Sequence, residues 1–536
     1  MSSNLEFRPL DNIGMNGLNT QSNPTTLDPS WLTEANNIVL RESGRISFRK
    51  GLKQNMITTT SNVPIGAIKE HRKSGVILAA VGAKMYTVDF TAPTAPWTAA
   101  YTTNVSTSDW EMIDFNNEIY CVQESAIPVE YDAGTWTILT STSGYTAPAG
   151  VTTFNPRCGT GYYGRLWVGG ITEEKDVVYY SDTLNAHKWS TGAAGSLDLK
   201  TVWGSDEIVA IEPFYGQLVI FGKHNIAIYQ NPTDPNTMSL TEVIRGVGCA
   251  ARDSVQAVGD DLLFLSDTGL RSLSRTTELD KVPLTEFSIN VKDTLIRHLA
   301  QSSNVKSCYV EDEGVYVMSF VDKNITYVFD IKHKTPNGVP RITMWNFDGN
   351  REPASLTFTD TKGFLVGQKT GSVATYEGYY DEDYVSGGTP TSHSYTGSFR
   401  TIWINLGNSA VASILKKMKA IIDGGSGTVV GIQWFKDFSP SPSPTSSFTL
   451  NPTTTGATSL FGASTSLYGA TTATHTHTAG THPSSSKYTP LYGLREYSLN
   501  LTGSAKFLQL KLSAETKGFV ASLQTLLLLY KQGKIR

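Results

Sequence analysis

The chain has 536 residues, 39% of them hydrophobic and 17% charged, which excludes both wholesale disorder and a long coiled coil. Its 44 basic and 48 acidic side chains leave a net charge of −4, so a strong whole-chain attraction to nucleic acid is excluded as well. Its 47 Gly, 24 Tyr, 21 Phe and 10 Trp point to large closed β architectures, which fold as single units of about 250 residues or more.

The N-terminus, MSSNLEFRPL, lacks the basic and then apolar stretches of a secretory signal. From about residue 40 a degenerate unit recurs: a short alternating strand, a Gly, Asn or Asp turn, an apolar second strand and a third ending in Tyr or Phe. It appears at 75–90, 115–132, 163–182, 215–230, 259–274, 312–330 and 361–378, with turns at Gly75, Asn117, Gly164, Gly216, Asp261, Gly314 and Gly363. A strand pair of this kind buries one face only, so each unit needs neighbours on both sides, and a closed ring leaves few exposed edges. The expected fold is therefore all-β: a β-propeller of six or seven blades over 41–385, after an N-terminal segment 1–40. A pair of β-sandwiches is the alternative. No helical period is sustained in this region. Cys121, Cys158, Cys249 and Cys308 lie far apart without Cys-x-x-Cys or Cys/His pairing, and are expected to be free core thiols.

Residues 395–536 read as a separate antiparallel β unit. SFRTIWINL, ASILKKMKAIIDG and GTVVGIQWFKDF alternate apolar with polar, and the middle one fits a strand better than a helix because of its place between two strands. A Ser/Thr/Gly-rich insertion follows at about 438–488, opening with SPSPSP and repeating TSLFGA (458–463) as TSLYGA (465–470), with PLYG at 490–493. It reads either as a plain linker or as a long loop ordered through its aromatic knobs. Strands return over 494–530. The longest apolar run, 526–530, is far short of the about 20 residues a bilayer needs, so no membrane insertion is expected.

Chemistry is sparse. GxSxG, P-loop and HExxH patterns are absent, so neither a catalytic set nor a cofactor is expected. DAGTW (132–136), SDTLNAHKW (181–189) and SDTGLR (266–271) fall short of a glycosidase Asp box and read as turns in which Asp accepts backbone hydrogen bonds. His475, His477 and His482 are the metal candidates: alternate strand residues face one way, and copies around an axis can complete a site. With no carboxylate nearby, an exposed polar loop is the expectation. Arg41, Arg45, Arg49, Lys50 and Lys53, the terminal Lys531, Lys534 and Arg536, and Asp381, Glu382 and Asp383 beside Tyr379, Tyr380 and Tyr384 read as partner-docking candidates.

GMNGLNTQSNPTTLDPSWLTEANNIVLRESGRISFRKGLK (14–53) resembles the opening of the propeller-bearing tail proteins of short-tailed bacteriophages, called nozzle, tail tubular protein B or stabilisation protein. The matching positions are Asn16-Gly17-Leu18-Asn19, Asp28-Pro29, Ala35-Asn36-Asn37, Gly44-Arg45-Ile46 and Arg49-Lys50-Gly51. GVGCAARDSV (246–255), the following DDLLFLSDTGLRSL and the terminal LLLLYKQGKIR are similar to later parts of those proteins; 438–488 has no counterpart. The resemblance implies a non-enzymatic virion protein, made in the host cytoplasm: a ring of self-associating copies, six by expectation, below a tail adaptor protein and near tail fibres. Phage DNA would pass through it without sequence-specific binding. A propeller module that binds a cell-surface glycan or protein is the alternative, and a glycosidase with paired carboxylates in a central pocket the third reading.

Overall fold

The computed structural model describes residues 5–41, 45–55, 63–88, 90, 97, 99–273, 286–347, 351–383, 391–407, 411–425, 427–450, 494–516, 518 and 520–533. Contacts divide the chain into two compact units: residues 1–53, 377–382 and 392–536 form the first, and 54–376 with 383–391 the second. The N-terminal segment thus shares a unit with the C-terminal strands.

The second unit is a β-propeller. Its first blade runs inward to outward as Ile65–His71, Val76–Val81, Lys84–Val88 and Ala99–Thr102. Three more four-stranded blades follow over 111–138, 158–198 and 208–245. A three-stranded sheet comes next (Gln256–Val258, Asp261–Ser266, Gly269–Ser272), then four-stranded blades over 305–345 and 353–376. Among the described residues the ring is thus six four-stranded sheets and one three-stranded sheet. The last blade takes its outer strand from before the first: Gln54 and Asn55 end the strand Leu52–Asn55, and Gln54 Nε2 donates to Gln368 Oε1 at 2.6 Å. The inner strand of blade 7 lies beside that of blade 1, where the Asp360 N–H donates to Glu70 Oε2 at 2.8 Å. That overlap closes the ring and protects its last edge.

Each of the seven repeats is the second and third strand of a blade with the turn that enters them. Their apolar faces pair between neighbours. Leu78, Ala80 and Met85 of blade 1 meet Met112, Ile119 and Val129 of blade 2, and Ile77, Ala79 and Val81 meet Leu365 and Val373 of blade 7. The core is therefore a series of layers between blades. All four cysteines are free and buried in it, as expected. The turn glycines and Asn117 adopt left-handed φ angles, which only small or amide residues take cheaply. Asp261 does not: in that turn the positive φ belongs to Gly259. The helix Lys292–Ala300, which anchors on buried Leu295, departs from the expectation that no helix occurs here.

The first unit has two facing sheets. In one, Ile38–Leu40, Ile46–Phe48, Ala521–Lys531, Ser413–Gly424 and Leu494–Asn500 lie in that order, with Leu5–Leu10 also on Ala521–Lys531. In the other, Trp31–Asn36, Thr396–Thr401, Phe507–Glu515, Val429–Lys436 and Ser446–Thr449 pair in succession. Ile422 and Leu523 face Phe399, Val430 and Leu512 across a small apolar cavity of about 60 Å³. The segment 413–424 is a strand, as its neighbours required. Within the expected insertion, Ser446–Thr449 is a strand of the second sheet; the repeated aromatic hexapeptides lie outside the described residues.

Candidate functional site

The inner strands of a propeller converge on its axis, so that is where side chains from distant parts of the chain can meet. A polar cavity of about 380 Å³ lies there, lined from blades 1, 2, 4, 5, 6 and 7; its deeper charged groups are Lys69, Glu111, Glu212, Arg252, Asp253 and Lys306. Arg252 and Asp253 sit on the short 3-10 turn Arg252–Ser254 that leads into blade 5.

Arg252, only 7% exposed at its side chain, gathers the ring. Its guanidinium lies 2.9 Å from Asp109, 2.8 Å from Glu111 and 3.0 Å from Asp253, and Nη1 donates to the Arg157 carbonyl at 3.1 Å. Lys306 of blade 6 reaches the same acids, at 2.5 Å from Asp109 and 2.7 Å from Asp253. Burial disfavours charge on Asp253, but Arg252 and Lys306 outweigh it and hold the carboxyl well below its usual value. The same pair lowers Asp109 against its own desolvation. Glu111 has a different balance: burial pushes it up to about 7, because Arg252 is shared with Asp253 and only partly offsets that cost.

Glu212, in the inner strand of blade 4 and paired there with Val219, lines the cavity, and its carboxyl has no hydrogen-bond partner among the described residues. Burial, reinforced by the charge of Glu111, raises its carboxyl to about 8. Of the acids lining the pocket, Glu111 and Asp253 are engaged by Arg252, whereas Glu212 carries a carboxyl with no ion-pair partner among the described residues. Sequence reasoning named none of them. Glu212 stands in IVAIEPF, a plain strand in which one carboxylate carries no motif.

The predicted docking residues fare differently. Arg49 is 0% exposed: its guanidinium lies 4.0 Å over the Tyr395 ring, Nε donates to Asn37 Oδ1 at 3.0 Å, and Nη1 stands 3.5 Å from Asp381. Asp381 is buried too and accepts the Leu52 N–H at 2.8 Å. Arg49 and Asp381 are therefore an internal ion pair of the first unit, with no surface left for a partner. Asp383 lies in the other unit, paired with Arg351 at 2.7 Å, and Glu382 is 3.8 Å from Lys53. Arg41, half-buried, donates to Ser47 Oγ at 3.2 Å; Arg45 and Lys50 are half-buried as well. His475, His477 and His482, like Lys534, Arg536 and Tyr384, lie outside the described residues. Among the described residues no group of three or more His, Cys, Asp or Glu is arranged to hold a metal, and no helix is long and apolar enough to cross a membrane. Asp182, in one of the Asp-box-like fragments, accepts the Thr183 and Ala193 N–H groups at 2.9 Å each, the turn role expected of it.

A second feature lies on one rim of the propeller, where the turns joining inner to second strands project. Tyr163 and Tyr215 occupy such turns in blades 3 and 4, 49% and 66% exposed, and Leu184 beside them is 60% exposed.

No protein-family model matches the chain, and no curated protein matches it. Among solved structures, the extracellular domain of BT4673 from B. thetaiotaomicron is similar at 12% identity and a TM-score of 0.42, over 67% of this chain and 48% of that one. PorZ, a bacterial surface component of the type-IX secretion system of Porphyromonas gingivalis, is similar at 12% identity and a TM-score of 0.34, over 69% and 44%. The chain spans less than half the length of each, and a likeness at this level carries nothing about activity or partners.

Proposed function

We propose that this chain is a structural subunit that works by holding partners, with the nozzle of a short phage tail as its specific role: a ring of about six copies around a DNA exit. The observation that supports this reading is where the residues of the phage-like segment sit. Asn19 accepts the Gln21 and Ser22 N–H groups, Asn37 bridges Arg49 to the Thr396 carbonyl, and Arg49 locks onto Asp381 and Tyr395. These are the keystones of the first unit, so a sequence sharing them shares the frame they hold. Light scattering of the purified protein, alone and with a tail adaptor ring, tests the reading. Six copies alone or captured by the adaptor support it; a monomer that ignores the adaptor sinks it.

A second reading, a propeller that binds a cell-surface glycan or protein, is favoured by the exposed aromatic tips on blades 3 and 4. A saturable ligand for the monomer distinguishes it from the first.

A further inference from the structure

Two-residue hairpin loops with both φ angles positive favour Asn and Gly. Blade 2 obeys, with Asn116 and Asn117 at φ 51° and 65°. Blades 3 and 4 instead put a tyrosine first: Tyr163 at φ 47° and Tyr215 at φ 48°, where a bulky aromatic is a conformational outlier. Neither ring is repaid by burial. Leu184 is left-handed as well, at φ 54°, and its N–H donates to the Gly164 carbonyl at 2.7 Å, which seats it against the Tyr163 turn.

These tips are contiguous. Tyr163 packs on Tyr162 at 4.3 Å between ring centres, and a methyl group placed on Gly216 would come within 3.9 Å of the Tyr163 hydroxyl. Tyr215 packs on Phe214 at 4.6 Å and donates its hydroxyl to Asp260 at 2.5 Å, at the entry to blade 5. Exposed rings therefore run along one rim over successive blades, with the Asp260 carboxylate on the Tyr215 hydroxyl and Asp182 in the loop that carries Leu184.

We propose that this rim is a binding track for a glycan chain, whose sugar rings stack their apolar faces on Tyr163 and Tyr215 while their hydroxyls donate to the neighbouring carboxylates. Strain held at two exposed aromatics is the kind that persists where a surface is used. The Asp260 carboxylate at the tip of Tyr215 opposes a phosphate-bearing partner there, which favours a neutral glycan over nucleic acid as the ring-stacking ligand. A row of rings on convex turns suits an extended polymer, whereas a small molecule needs a concave pocket. The track rests on the second reading above and gives it a site.

The test uses the full chain, titrated with soluble bacterial O-polysaccharide, cellohexaose, chitohexaose and maltohexaose and followed by saturation-transfer NMR. Wild-type protein should bind at least one of them saturably. A Tyr163→Asn/Tyr215→Asn double variant should bind about tenfold or more weakly while melting no lower than wild type, because Asn accepts the left-handed turn. Should the double variant unfold, Tyr215→Asn alone carries the same comparison. Binding that the variant retains overturns the track and leaves the glycan reading standing; no saturable binding of any probe by wild type overturns the track and leaves of the second reading only its protein partner.

Discussion

Arg252 touches acids or carbonyls that belong to blades 2, 3 and 5, and Lys306 extends the same network to blade 6. Removing the guanidinium leaves Glu111 without its cation and Asp109 and Asp253 with Lys306 alone, so Arg252→Met should destabilise the propeller by about 1–3 kcal/mol, read by chemical denaturation. Glu212 makes the opposite prediction for acid. Its folded carboxyl binds a proton up to about 8, whereas the unfolded chain releases it near 4.5. The folded state thus holds more protons between those values, and its stability falls as pH rises through that window. Glu212→Gln, which imitates the protonated group, should flatten the slope between pH 5 and 8, a window set by those two values. An unchanged slope in melting temperature against pH would show that Glu212 titrates normally. Neither residue was legible as a site, because a lone Arg or Glu acquires meaning only from partners on other blades. Arg49 was misread for the same reason: from sequence it is one more charge in RESGRISFRKGLK, and its buried partner Asp381 lies 332 positions away.

At the scale of elements, inner strands approach closely enough that some positions admit no side chain. Gly161 has an ordinary extended backbone, yet a methyl group there would lie 2.3 Å from the Asp114 carbonyl oxygen of blade 2. Gly161→Ala should therefore cost about 1–3 kcal/mol or more through overpacking alone. Gly134 is the control: it has open space around it, and its substitution acts only through a φ of 103°. A denaturation midpoint for Gly161→Ala equal to wild type would show that blades 2 and 3 separate more easily than their packing implies. The blades were the most legible feature of the sequence, and the reason is physical. Second and third strands are buried on both faces between neighbours, so Val168, Ile220 and Val317 sit in apolar runs bracketed by turn residues that must take positive φ. Outer strands carry no such signature. Ser239–Arg245 buries no residue fully, mixes half-buried with exposed positions without alternation, and looks like any polar segment. The helix Lys292–Ala300 was missed because it is only 9 residues long and fully buries a single leucine.

At the scale of the molecule, the first unit is built from both ends of the chain, with Leu5–Leu10 paired in register to Leu526–Lys531 and Trp31–Asn36 to Thr396–Thr401. Pairing across such a separation leaves no local trace in sequence, which is why the N-terminal segment read as a piece by itself. It also orders folding. Closing a flexible loop of some 320 residues costs on the order of 5 kcal/mol in chain entropy, and that cost disappears once the intervening residues are already compact. The propeller is contiguous and completes its last blade with Gln54 and Asn55, so its formation brings residues 54 and 376 into one sheet and presents the two ends for pairing. Propeller amides such as those of Leu218 and Phe264 should therefore gain protection in pulsed hydrogen exchange before those of Leu526 and Leu528. A fragment comprising 54–391 should keep the near-ultraviolet signature of its tryptophan-rich blades, whereas one lacking the propeller should not form the paired termini. Simultaneous protection of both sets would mean instead that the ends find each other without the propeller, and that the chain closes as one cooperative unit.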